Sequence, residues 1–111
     1  MDHEGLQRTI ALVEGVRDNL RKAYVDCAAI DDVRPRRDAM KTAQAACIDA
    51  LRAAGVTARE TVHHWTVAGW GIRSTATGGL LAALGNWLLA VTARLRRWQG
   101  GGQSKVGSVE R

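Results

Sequence analysis

The sequence predicts an all-α fold, a small bundle of about four helices that ends in a flexible Gly-rich tail. Ala and Leu dominate the apolar residues, Phe is absent, and the 111 residues include a single Pro. Ala and Leu are strong helix formers, whereas strands favour β-branched and aromatic residues. Apolar residues also recur every three or four positions, which is the spacing of amphipathic helices. A chain of this length supports one modest core.

The N-terminal segment, residues 1–55, is predicted to form an antiparallel helical hairpin. The first helix should run from about residue 4 to about residue 31, because its apolar residues lie on one face. These residues are Leu6, Ile10, Val13, Leu20, Tyr24 and Cys27. A second helix is expected from about Pro35 to Ala54, with Gly55 as its stop. The short connection between the two helices favours an antiparallel pair.

Cys27 and Cys47 are expected to be buried free thiols. In an antiparallel hairpin Cys27 lies beside residues 39–41, so Cys47 is displaced from it by about 10 Å along the helix axis. A disulfide requires Cα atoms within about 7 Å of each other. Because the N-terminus shows no secretory leader, we expect a reducing cytoplasmic compartment, with membrane association as the alternative.

Residues 56–99 are predicted to form two further helices, rich in Trp, that pack on the hairpin, on a partner or on a membrane. Thr57 and Glu60 have the spacing of a capping box, which predicts that a third helix begins at Thr57. The next apolar positions, among them Trp65 and Ile72, keep a helical spacing.

The fourth predicted helix runs from about Gly79 to Gln99, stops at Gly100 and precedes a flexible tail, residues 100–111. Its apolar positions step by three and four residues, like the seam of a coiled coil. With the preceding tryptophans, these positions are the predicted anchors of a protein interface, since Trp is enriched at such hot spots. An ordinary core is the alternative interpretation. The nine residues are Trp65, Trp70, Leu81, Leu84, Trp87, Leu88, Val91, Leu95 and Trp98.

Charge divides the chain into two unlike halves. Residues 1–60 hold ten Lys or Arg and ten Asp or Glu, whereas residues 61–111 hold six Lys or Arg and one acid. The net charge of +5 therefore belongs to the second half, which favours an anionic or apolar partner there. The candidate contacts for an anionic partner are Arg94, Arg96, Arg97 and Lys105.

A membrane alternative rests on residues 74–93, twenty positions without a charge, which is the length of a bilayer span. Trp70 and Trp98 flank this run, as tryptophans do at the two interfaces of a bilayer. Asn86 and several glycines make such a span marginal, so a helix buried in protein is preferred.

No catalytic, cofactor or metal site is predicted, and no small-molecule substrate is expected. His63 and His64 are adjacent and would point about 100° apart on a helix, whereas helical metal pairs use i,i+3 or i,i+4 spacing. Cys27 and Cys47 lack the close spacing of a zinc site. No nucleophile stands beside a base and an orienting acid.

The sequence therefore predicts a non-enzymatic helical module for protein–protein interaction or assembly, with a protein partner or self-association. A small membrane-associated protein of the pore-forming or lysis type, using residues 62–98, is the alternative. Nucleic-acid binding through the C-terminal arginine cluster is a weaker alternative, because four cations make a small footprint and no recognition motif accompanies them.

Overall fold

The protein is a helical hairpin followed by a three-stranded sheet and a long C-terminal helix. The computed structural model describes residues 3–107, with side chains described as far as Trp98. Over these residues the elements are α1 (His3–Ala28), α2 (Val33–Ala53), β1 (Thr57–Glu60), β2 (Trp65–Gly69), β3 (Ile72–Ala76) and α3 (Leu80–Gly107). The prediction of an all-α bundle of four helices is therefore wrong, since the described chain has three helices and a sheet.

The predicted helical hairpin is confirmed. Four of the six residues predicted on the apolar face of α1 are buried, namely Leu6, Val13, Leu20 and Cys27, and the other two, Ile10 and Tyr24, are half-buried against the core. On α2 the buried residues are Cys47 and Leu51. Gln44 Nε2 of α2 donates a hydrogen bond to Tyr24 Oη of α1 at 2.9 Å. Both cysteines are buried free thiols.

Gly55 ends α2, as predicted. Its φ is 81°, a left-handed conformation that glycine adopts without steric cost. The Gly55 N–H donates to Arg52 O at 3.0 Å and the Val56 N–H donates to Leu51 O at 2.9 Å, which are the two bonds of a Schellman motif. Val56 and Leu51 are also both fully buried in the core. This motif turns the chain from α2 into β1.

The predicted third helix is wrong, because the sheet occupies its place. Thr57 and Glu60 have the spacing of a capping box, yet they are the first and last residues of β1. Eight of the 21 residues from Thr57 to Thr77 are Thr, Val or Ile, which are stiff at χ1 and favour strands. Along β2 the buried residues Trp65 and Val67 alternate with more exposed neighbours, which is the period of two of a strand.

The three strands are antiparallel in the order β1–β2–β3. A two-residue turn, Trp70-Gly71, joins β2 to β3, and Gly69 and Ile72 form the last opposed pair before it. Both turn residues have positive φ, 57° for Trp70 and 75° for Gly71, which is the pattern of a type I′ turn. Such turns favour Asn-Gly or Gly-Gly, so a Trp at this position is strained and needs support from contacts elsewhere.

The core lies between the two hairpin helices, the inner face of the sheet and α3. Trp87 of α3 is its largest fully buried residue, and its Nε1 donates to Ile72 O at 3.2 Å and to Gly69 O at 3.3 Å. At the far end of α3, the Trp98 ring stacks on His3 of α1 with ring centroids 5.5 Å apart. The apolar seam predicted on this helix is therefore turned toward the protein's own sheet and α1.

α3 extends to Gly107, past the stop predicted at Gly100. The flexible tail predicted for residues 100–111 stays a prediction, because its side chains and its last four residues lie outside the described part of the chain. Among the described residues, no helix combines the length and the hydropathy that crossing a bilayer requires.

Candidate peptide-docking groove

The nine predicted interface anchors belong to the core or pack against it. Six are buried, namely Trp65, Leu84, Trp87, Leu88, Val91 and Leu95, and three are half-buried against the core, namely Trp70, Leu81 and Trp98. Ordinary core, the alternative interpretation, describes their position in this fold. A partner has little access to most of these side chains, so a binding surface has to be sought elsewhere.

The four predicted contacts for an anionic partner differ in exposure. Arg94 is half-buried, and its guanidinium lies beside Gly71 of the β2–β3 turn. Arg96 and Arg97 are exposed on α3, and the side chain of Lys105 lies outside the described residues. Binding of an anion by these residues stays a prediction.

A groove of about 650 Å³ lies between α2 and the end of the sheet at which β1 stops and β2 begins, at Glu60 and Trp65. Its volume is within the roughly 300–1,000 Å³ of typical ligand pockets. It exists because α2 is longer than the strand beside it. The 21 residues of α2 span roughly 31 Å, whereas the four residues of β1 span roughly 13 Å. The C-terminal end of α2 is anchored in the core by Leu51, which is fully buried. Its N-terminal part runs past Glu60, where β1 ends, and leaves one face uncovered.

The interior of the groove is apolar. Met40 and Ile48 of α2 lie along one wall, and Trp65 of β2 lies opposite them. Met40 and Ile48 are half-buried, whereas Trp65 is 7% exposed and closes the floor. At the open end Val33 is 56% exposed. Apolar surface left open in this way is available to the side chains of a ligand.

The rim of the groove is positively charged. Arg36, Arg37 and Lys41 line it, against a single acidic residue, Glu60. Arg36 Nη1 donates to Ile30 O at 3.4 Å, which ties this side chain to the α1–α2 turn. Arg37 and Lys41 are exposed, and neither forms an ion pair with another described residue. Two unpaired cations therefore border an apolar cleft.

Two polar side chains connect the groove to the hairpin behind it. Gln44 lines the groove and donates its hydrogen bond to Tyr24 Oη on α1. Burial raises the pKa of the Tyr24 phenol, and the hydrogen bond with Gln44 opposes that rise. The phenol is therefore neutral near pH 7, and the pair positions α2 without adding charge to the groove.

The groove differs from the sites that the sequence suggested. Apolar residues with a helical spacing on α2 are Met40, Ala43, Cys47, Leu51 and Ala54, and three of them, Ala43, Cys47 and Leu51, face α1 or the core. Val33 and Ile48 are not among these residues, and neither are the basic residues Arg36, Arg37 and Lys41. These apolar and basic residues were the signal in the sequence from which the groove could have been predicted. No three His, Cys, Asp or Glu side chains in the described part of the chain converge as metal ligands would.

No protein-family model, no curated protein and no solved structure matches this chain.

Proposed function

We propose that the protein is a binding module that holds a short acidic and apolar segment of a partner protein in the groove between α2 and β1. The observation that carries the proposal is the combination of an apolar interior with unpaired cations at the rim. The class of function is the interaction module that the sequence predicts. In this proposal the partner contacts the groove between α2 and the end of β1. Of the nine predicted anchors, which belong to the core or pack against it, only Trp65 lines that groove.

The chemistry of the groove favours a peptide over other anions. Val33, Met40 and Ile48 offer apolar contacts to side chains, and burial of apolar surface contributes roughly 25 cal/mol per Å². Arg37 and Lys41 would attract carboxylates and raise the association rate. A nucleic acid would require an aromatic face on which bases stack, whereas Trp65 is 7% exposed and closes the floor.

A selection from a displayed library of random twelve-residue peptides, with the full-length protein as bait, tests the proposal. We expect enrichment of peptides that combine Asp or Glu with Val, Ile, Leu or aromatic residues. Binding of the enriched peptides, measured by fluorescence anisotropy, should weaken roughly tenfold in the double variant Arg37→Glu/Lys41→Glu, since each charge pair contributes about 0.2–1 kcal/mol and reversal adds repulsion.

The matched control is Arg8→Glu/Lys22→Glu, which makes the same change in net charge at two exposed positions of α1. This variant should bind the enriched peptides within about twofold of the unmodified protein. A selection that enriches no acidic peptides contradicts the proposal. Equal loss of binding in both double variants also contradicts it, because the groove would then matter no more than overall charge.

A further inference from the structure

We infer that the partner segment binds as a fourth strand, added to the β1 edge of the sheet, with apolar and acidic residues in alternation. The inference rests on the proposed function and specifies how the groove would recognise its ligand. It follows from a difference between the two edges of the sheet. An unprotected edge strand presents unpaired N–H and C=O groups that another chain can bind.

The β3 edge of the sheet is covered. α3 packs along β3, and Asn86 Nδ2 donates to Thr75 O at 3.0 Å. This side chain occupies a carbonyl that would otherwise face a neighbouring strand. Protection of this kind is how natural sheets prevent edge-to-edge pairing.

The β1 edge has no strand beside it among the described elements; α2 contacts β1, and Glu60, the last residue of β1, lines the groove. Hydrogen-bonded and non-hydrogen-bonded pairs alternate along an antiparallel ladder. Gly69 and Ile72 close the β2–β3 hairpin as a hydrogen-bonded pair, so Gly69, Val67 and Trp65 are the β2 residues that bond to β3. The residues between them, Thr66 and Ala68, therefore bond to β1. Their partners in β1 are Arg59 and Thr57. Ala58 and Glu60 therefore point their N–H and C=O groups away from β2. Glu60 lines the groove, and Ala58 lines the concavity next to it.

The two faces of an added strand would meet different surroundings. Ligand residues on the inner face would share the side of the sheet that carries Trp65, and would enter the apolar groove. Residues on the outer face would lie beside Arg59. That outer face is a second concavity, lined by three arginines, Arg52, Arg59 and Arg73, together with Thr and Ala residues and no carboxylate. A strand with apolar residues on one face and acidic residues on the other fits both surroundings, and acidic residues of the same segment that continue past Glu60 would lie near Arg37 and Lys41 at the groove rim.

The probe for this inference is a ten-residue peptide of alternating Glu and Val, added to the full-length protein labelled with ¹⁵N. Amide hydrogen exchange, followed by NMR, should slow at least tenfold at Ala58 and Glu60 when the peptide is bound, because both N–H groups would gain acceptors. The control amides are Arg73 and Thr75 on the covered edge, whose exchange should stay unchanged.

Two N-methylated versions of the peptide provide the second arm. Methylation of every Val amide, or of every Glu amide, removes the hydrogen-bond donors from one edge of the ligand strand and leaves the side chains unchanged. We expect one version to lose binding at least tenfold and the other to retain it, because only one edge of the ligand can pair with β1. If methylation of the Val amides is the change that abolishes binding, the pairing is antiparallel. In that arrangement the ligand residue that bonds to Ala58 lies directly opposite it and on the same inner face, where the Val residues lie.

The outcomes separate this inference from the proposed function. Binding of the peptide without slower exchange at Ala58 and Glu60 overturns strand addition but leaves the groove as a docking site. Unchanged binding of both N-methylated peptides would likewise overturn strand addition and leave the groove as a docking site. Failure of the alternating peptide to bind, when library peptides of other patterns do bind at Arg37 and Lys41, also overturns strand addition alone. Failure of both kinds of peptide overturns the two proposals together.

Discussion

Trp70 Nε1 donates a hydrogen bond to Thr9 Oγ1 at 3.2 Å, between residues that are 61 positions apart in the chain. Thr9 is 7% exposed, and its own hydroxyl donates to Gly5 O at 3.0 Å. The bond joins the β2–β3 turn to α1. Because Trp70 has a φ of 57° in that turn, this contact is one of those that hold a strained residue in place.

The bond between Trp70 and Thr9 predicts coupled effects on stability. Trp70→Phe removes the N–H donor and Thr9→Val removes the acceptor, so each should lower the free energy of unfolding by about 1 kcal/mol. The double variant should lose less than the sum, with a coupling of roughly 0.5–1.5 kcal/mol. Urea denaturation of the four proteins measures the coupling. Strictly additive losses would show that the hydrogen bond contributes nothing.

Asn86 is predicted to stabilise the covered edge of the sheet. Asn86→Ala frees the Thr75 carbonyl and should lower the free energy of unfolding by about 1 kcal/mol. Because the β3 edge would then be less protected, we also expect concentration-dependent self-association, measured by light scattering. Asn19→Ala on α1, also at an exposed helical position, is the control, since it gains the same helix propensity. The prediction fails if both variants have the same stability and the same light-scattering mass as the unmodified protein.

Arg17 carries a buried polar atom without a partner. Its Nε is inaccessible and forms no hydrogen bond, and burying such a group costs about 1–3 kcal/mol. Arg17→Met keeps the aliphatic stem, so we expect an unchanged or higher melting temperature, by up to several degrees. Arg21→Met, at an exposed position that forms an ion pair with Asp18 at 3.4 Å, should change stability by less than about 0.5 kcal/mol. A clear loss of stability in Arg17→Met would indicate that Nε has a partner in solution.

Cys47 predicts a fall in stability at alkaline pH. Burial raises the pKa of its thiol from 9.0 to about 11. Well below pH 9 the thiol is neutral in both states and adds no pH dependence. Between pH 9 and about 11 the unfolded thiol loses its proton while the native thiol keeps it, so the free energy of unfolding falls as pH rises.

Cys47→Ala tests this pH dependence. Urea denaturation at pH 8, 9 and 10 should give a shallower fall in the variant than in the unmodified protein. A residual fall near pH 10 is expected from Tyr24, whose phenol pKa is also raised by burial. Identical slopes for the two proteins would contradict a raised thiol pKa.

The groove and its strand edge were outside the reach of the sequence patterns. Met40 has the helical spacing of the buried residues of α2, and Arg37 belongs to the charged stretch at the start of that helix, so neither residue by itself indicates a binding site. Their importance comes from Glu60 and Trp65, which approach α2 only after the chain reverses at Gly55. Distances between elements of this kind are not encoded in the periodicity of either element alone.

The sheet was missed for a related reason. Strands of four or five residues carry too few positions to establish a period of two, and the seven-residue separation of Trp65 and Ile72 suits a helix equally well. The turn is also atypical, since Trp70 replaces the Asn or Gly expected in a type I′ turn. Contacts from other elements, among them the Trp70–Thr9 hydrogen bond and the hydrogen bonds from Trp87 Nε1 to Gly69 O and Ile72 O, support that turn.

By itself, the sequence determined the helical hairpin, its stop at Gly55, the buried cysteines and the apolar stripe of α3. These features depend on neighbours within one or two helical turns, where local spacing and backbone preference decide the structure. Tertiary structure alone decided the sheet, the burial of the tryptophans as core and the groove beside α2. They depend on residues far apart in the chain, whose packing outweighs weak local preferences once the core assembles.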